Sequence, residues 1–129
     1  MPLVRIDVIK GRTALELQKL ADTLHDCIVQ AFEVPHRDRF QIVTEHTANQ
    51  MIIQDVGLGF ERSDGVVVVQ ITTTPRSLTA RKAFYQLAAE RLHQKCGLLP
   101  DDLMMNFVET SESNWSFGRG EAQFLTGAL

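Results

Sequence analysis

Val66-Val67-Val68-Val69-Gln70-Ile71-Thr72-Thr73-Thr74 is the stretch that decides the fold. It is almost entirely β-branched and holds no turn residue, so it favours a pleated strand. Apolar residues stand at both odd and even positions, which reads as a central strand covered on both faces. Pro75-Arg76-Ser77 breaks the run. Ser77 is placed to cap a helix from Leu78 to Lys95, with Phe84, Leu87, Ala88 and Leu92 on one face. Gly97 falls where a left-handed helix end is expected. Leu98 to Asp102 then leads into another strand, Leu103 to Glu109.

The amino-terminal half repeats this order. Leu3 to Ile9 reads as a strand, and Lys10-Gly11-Arg12 turns it. Thr13-Ala14-Leu15-Glu16 is a capping box: the Thr13 hydroxyl accepts the Glu16 amide and the Glu16 carboxylate reaches back. Leu17, Leu20, Leu24, Ile28 and Ala31 recur at helical spacing up to about Phe32. Val34 to Asp38 connects, with Pro35 biasing Val34 out of the helical region. Phe40 to Thr44 is the next strand, Met51-Ile52-Ile53 a minor strand, and Gly57 to Phe60 a loop. With the halves laid 64 residues apart, Thr13 falls on Ser77, Leu24 on Ala88, Asp38 on Asp102 and Glu45 on Glu109. One domain over 1–129 is expected, repeating 2–48 in 66–112 with a tail over 113–129. Each half is strand, helix, strand, and such a unit crosses over right-handed. Two units side by side give an α+β fold: a four-stranded sheet with two helices on one face. The other face is left bare, and strands this apolar require another subunit to cover it.

Composition narrows the function. The chain has 129 residues, 44% hydrophobic and 22% charged, with a formal charge of −3. That balance disfavours nucleic acid or an anionic membrane surface as partner. No apolar run approaches the ~20 residues of a membrane span, and no signal peptide is evident. Cys27 and Cys96 lie far apart without a disulfide framework, which suits a reducing cytoplasm. The four histidines show no metal spacing, so no metal is expected.

Pro2 is the residue with chemistry to offer. A proline in second place invites removal of Met1, which frees a secondary amine at the head of a strand. Such an amine can act as base, cation or nucleophile. A strand-initial proline is also ordinary structure, since it needs no ladder donor.

Two strand–helix–strand units, Pro2 after the initiator, and an uncovered sheet face resemble the tautomerase superfamily, and within it the malonate semialdehyde decarboxylase group. The likeness is carried by Pro2-Leu3, Glu33 to Arg39, Asp55 to Gly59, Pro75-Arg76-Ser77, Pro100-Asp101-Asp102, and Asn114 to Gly120 with Glu121 to Gly127. The resemblance implies a cytoplasmic, cofactor-free homotrimer acting on a small carboxylate substrate. It implies Pro2 as the catalytic amine, Asp38 as the acidic partner that handles protons and water, and Arg76 as the carboxylate clamp. Trp115, Phe117, Phe124 and Leu129 match its hydrophobic wall. Thr74 stands where that group has a second arginine, so one cationic clamp is missing from its expected place.

Each residue also has a plainer reading. Arg76 opens a helix, a poor place for a cation in the field of the helix dipole unless a ligand anion sits there. Asp38 could form a surface pair with Arg37 or Arg39, worth little. The aromatic tail could be core or subunit contact. Arg119 could serve an interface or a substrate. Three functions follow. The first is decarboxylation of a small 3-oxo acid similar to malonate semialdehyde, with hydratase activity alongside. The second is keto–enol tautomerisation of a 2-oxo acid such as phenylpyruvate. The third is a non-catalytic trimer that binds a small acid or a protein. Burial and Arg76 disfavour a protonated Pro2, whereas Asp38 favours it, and sequence alone leaves that balance open.

Overall fold

A computed structural model describes residues 1–129. Strands β1 (Leu3–Ile9), β2 (Phe40–His46), β3 (Val67–Thr73) and β4 (Leu103–Glu109) form one sheet in the order β2-β1-β3-β4. β1 pairs with β2 and β3 with β4 in parallel; β1 and β3 run antiparallel at the centre. Each parallel pair is joined by a helix, α1 (Ala14–Phe32) or α2 (Leu78–Cys96). The two helices lie side by side. This is the α+β architecture expected from the repeat of strand, helix and strand.

Local chemistry sets the helix ends. Thr13 Oγ1 accepts the Glu16 amide at 3.2 Å, and Glu16 Oε1 accepts the Thr13 amide at 3.0 Å. Ser77 Oγ accepts the Ala80 amide at the start of α2. Gly97 closes α2 with φ +67°, a conformation a Cβ disfavours. Glu33 takes the same left-handed turn after α1.

Alternation along the strands sends Val4, Ile6 and Val8 of β1, and Val67, Val69 and Ile71 of β3, toward the helices. There they meet Leu20, Leu24 and Ile28 of α1 and Phe84, Ala88 and Leu92 of α2 in one buried cluster. The opposite sheet face is not covered within the chain. Ile42, Met104 and Val108 are exposed there, and Val68 is only half-buried. β3 is therefore central and helix-covered on one face, with its other face left open within the chain.

Met51-Ile52-Ile53 is not a strand. A short 3₁₀ turn, Ala48–Gln50, precedes it, and no strand pairs with it. Met51 is 8% exposed against Ile9 and Val66, whereas Ile52 is 76% exposed. The segment alternates like a strand but has no ladder partner, and it is anchored by one side chain.

Candidate active site

The amino terminus enters beside the connection between α1 and β2. That connection turns tightly: the Asp38 amide donates to the Pro35 carbonyl at 2.9 Å. Buried His25 of α1 holds the same turn by donating Nε2–H to the His36 carbonyl at 2.6 Å. The turn aims Asp38 inward and Arg39 back to α1. Arg39 gives Nη2–H to Asp22 Oδ1 at 2.6 Å and Nε–H to Gln41 Oε1 at 2.8 Å. The surface pair between Asp38 and a flanking arginine is therefore not formed. Asp38 is 8% exposed, and its Oδ2 lies 3.8 Å from the Met1 nitrogen. Its Oδ1 is buried without a hydrogen-bond partner.

Pro2 is fully buried at the head of β1. Its nitrogen is three covalent bonds from that of Met1, at most roughly 3.5 Å away. The Met1 amine thus marks the neighbourhood a freed Pro2 amine would occupy. Burial, the largest influence, holds the Met1 amine below its ordinary pKa of 8.0; Arg76 adds to the lowering, and Asp38 opposes it by charge and hydrogen bonding.

Arg76 follows β3 and is half-buried. Its Nε donates to Thr73 Oγ1 at 3.2 Å, and its guanidinium carbon stands 5.5 Å from the centre of the Phe32 ring. The guanidinium thus has a cation–π seat on that ring. Arg76 acts on the amine through its charge but does not line the hollow beside it.

That hollow, about 420 Å³, is lined by Met1, Pro35, Arg37, Asp38, Phe40, Phe117 and Leu129. Its wall is an aromatic stack. Phe117 lies 5.5 Å from Phe40, 5.4 Å from Trp115 and 5.5 Å edge-on from Phe124, by ring centres. Trp115 is pinned by a bond from Nε1 to Thr110 Oγ1 at 2.8 Å. Gln123 locks the tail: its Oε1 accepts the Phe117 amide and its Nε2 donates to the Gly118 carbonyl.

Of the residues singled out in the sequence, Asp38, Phe117 and Leu129 line the same hollow as Met1, and Asp38 lies beside its nitrogen. Trp115 and Phe124 stand one layer behind, supporting Phe117. Thr74 is half-buried and does not reach the lining. Arg119, in a left-handed turn at φ +60°, lies outside it as well. Pro35, Arg37 and Phe40 line the hollow and were read only as connection and strand. Phe40 carried a signal, an aromatic at the exposed start of an edge strand; Arg37 had none beyond its place next to Asp38.

Two family models described as "Tautomerase enzyme" match the chain, over residues 38–118 and 2–61. A probable tautomerase of Bacillus subtilis (strain 168), YrdN, is 50% identical over 129 residues, 100% of both chains. A second probable tautomerase of that organism, YusQ, is 30% identical, covering 97% of this chain and 99% of its own. Among solved structures, a malonate semialdehyde decarboxylase described with decarboxylase and hydratase activities superposes with a TM-score of 0.96 at 42% identity, covering 98% of each chain. A second malonate semialdehyde decarboxylase, inhibited by 3-bromopropiolate, superposes at 0.94 with 36% identity, covering 98% of this chain and 97% of its own. With matches spanning both halves and the full length of its relatives, the chain belongs to the tautomerase superfamily and is an enzyme of the malonate semialdehyde decarboxylase group within it.

Proposed function

We propose that the enzyme decarboxylates a small 3-oxo acid, similar to malonate semialdehyde, with the Pro2 amine freed by removal of Met1. The observation that carries this reading is the 3.8 Å approach of Asp38 Oδ2 to the amino-terminal nitrogen at the edge of an aromatic-walled hollow. Protonated Pro2 donates a hydrogen bond to the substrate's 3-oxo group. The bond between C2 and the carboxyl carbon breaks, and carbon dioxide leaves. The electron pair left behind forms an enolate at the polarised oxygen. Return of a proton to C2 gives the aldehyde. Asp38 raises the proton affinity of the amine, opposing burial and Arg76. Arg76 supplies a planar pair of donors for a carboxylate. Asp38 is also placed to activate water, as a hydratase step requires.

One observation favours the tautomerase reading as well. Burial and Arg76 together outweigh Asp38 and hold the Met1 amine below its ordinary value. A Pro2 amine freed into the same surroundings meets the same influences, which favour a neutral base able to take a proton beside a carbonyl. The same residues would then shift a 2-oxo acid such as phenylpyruvate between keto and enol forms.

Association through the open sheet face into a homotrimer completes the proposal; a fused relative whose fold matches at a TM-score of 0.78 is described as a symmetric trimer.

The test begins with intact mass, which is expected to show Met1 removed from untagged protein. Pro2→Ala and Arg76→Ala are then assayed with malonate semialdehyde and phenylpyruvate. Loss of turnover of at least about a hundredfold in Pro2→Ala supports the amine mechanism. Retained Met1, or an active Pro2→Ala enzyme, rejects it.

A further inference from the structure

Among the side chains that line the hollow, Arg37 alone carries a fixed positive charge. It is exposed and belongs to none of the ion pairs of the chain. Its neighbours are committed: Asp38 faces the amine, and Arg39 is bound to Asp22 and Gln41. The turn held by His25 thus presents a free guanidinium at the rim, beside Phe40, Phe117 and Leu129. Arg76 acts on the amine by its charge from a different element, after β3, with its own seat on Phe32.

We propose that Arg37 is a substrate-binding residue that grips a carboxylate at the rim, and that the site accordingly selects small oxo acids bearing two carboxylates. This rests on the reading of the hollow as the substrate site. Two guanidinium groups serve the site: Arg37 lines the hollow, and Arg76 acts on the amine by its charge from outside the lining. A dianion offers one carboxylate to each guanidinium, whereas a monoanion such as malonate semialdehyde engages only one. The planar fork of arginine matches a carboxylate with two parallel bonds, and its weak hydration eases transfer from water. A hollow of about 420 Å³ falls in the range of roughly 300–1,000 Å³ used by ligand sites and leaves room for a carboxylate beyond the reacting carbons. A second clamp then comes from the connection between α1 and β2, and Thr74 need not supply it.

The experiment is a titration of Trp115 fluorescence, since that ring stacks on Phe117 at the wall. Succinate and butyrate share four carbons and differ by one carboxylate. The wild type is expected to bind succinate about tenfold or more tightly than butyrate. Arg37→Gln should bring the two within about threefold, chiefly by weakening succinate, and Arg37→Lys should restore part of the preference. A wild type that binds both acids equally, or neither, overturns the proposal. So does an Arg37→Gln variant that keeps the preference. The readout is binding alone, so loss of the amine mechanism in the Pro2→Ala assay leaves this comparison intact, and the two readings fail separately.

Discussion

Asp38 and Asp102 hold equivalent places in the two halves, yet only Asp102 is satisfied. The Asp102 carboxylate accepts from the Ser63 amide at 2.7 Å and from the Ser63 hydroxyl. Asp38 keeps Oδ1 buried and unpartnered while Oδ2 faces the amino-terminal nitrogen. An unmet buried acceptor costs about 1–3 kcal/mol, so the same residue type is satisfied in one half and left with an unmet acceptor in the other.

Opposed charges at the amine give the first prediction. In the chain bearing Met1, the folded amine binds its proton less tightly than the unfolded one, whose pKa is near 8.0. Its share of stability is therefore fully present above pH 8.0 and is lost as pH falls through the lower folded value. Asp38→Asn should lower the folded pKa further, and Arg76→Gln should raise it. Titration of the amine by nitrogen-15 NMR checks both signs; opposite movements would contradict the electrostatic account.

The latch at Gln123 gives the second. Gln123→Ala removes two hydrogen bonds that hold Phe117 and Gly118, each worth about 0.5–1.5 kcal/mol. The stack of Trp115 on Phe117 should loosen, with weaker near-ultraviolet dichroism. Substrate KM should rise about threefold or more, with kcat less affected. Unchanged dichroism would show that the stack holds itself.

Association is the third. Val68 and Val108 lie on the open sheet face, Val108 being 41% exposed. Val68→Lys or Val108→Lys places a charge where the proposed trimer buries apolar surface, and an unpaired buried charge is strongly disfavoured. Sedimentation should show a smaller species with the helical content retained. A mass identical to the wild type in both variants would argue against this face as the interface.

Core packing is the fourth. Phe84 is fully buried, 5.5 Å from Phe32 and 5.8 Å from Phe107 by ring centres. Phe84→Ala should cost about 3–5 kcal/mol in urea unfolding. Because Phe32 also seats Arg76, substrate affinity should fall in whatever fraction remains folded.

Thiol chemistry is the fifth. Burial pushes the Cys27 thiol up to about 11, whereas Cys96 is half-exposed. At pH 8, iodoacetamide should modify Cys96 well before Cys27, read by peptide mass. Faster labelling of Cys27 would reveal opening of α1.

Much of this was legible along the chain, because local chemistry is short-ranged. The Thr13 capping box, the Ser77 cap and the Gly97 helix end follow from contacts within a few residues. The two strand–helix–strand units follow from spacing of apolar residues. The family likeness brought Asp38, Arg76 and the aromatic tail into consideration. Tertiary structure decided the rest. It showed that Met51 anchors a loop rather than founding a strand, since a strand exists only where a neighbour offers a ladder. It placed Arg76 over Phe32, brought Phe40 to Phe117 across the chain, and set Arg37 and Asp38 on the hollow while sending Arg39 to Asp22 and Gln41. Consecutive side chains in a tight connection diverge according to what surrounds them, and only the packed fold supplies those surroundings.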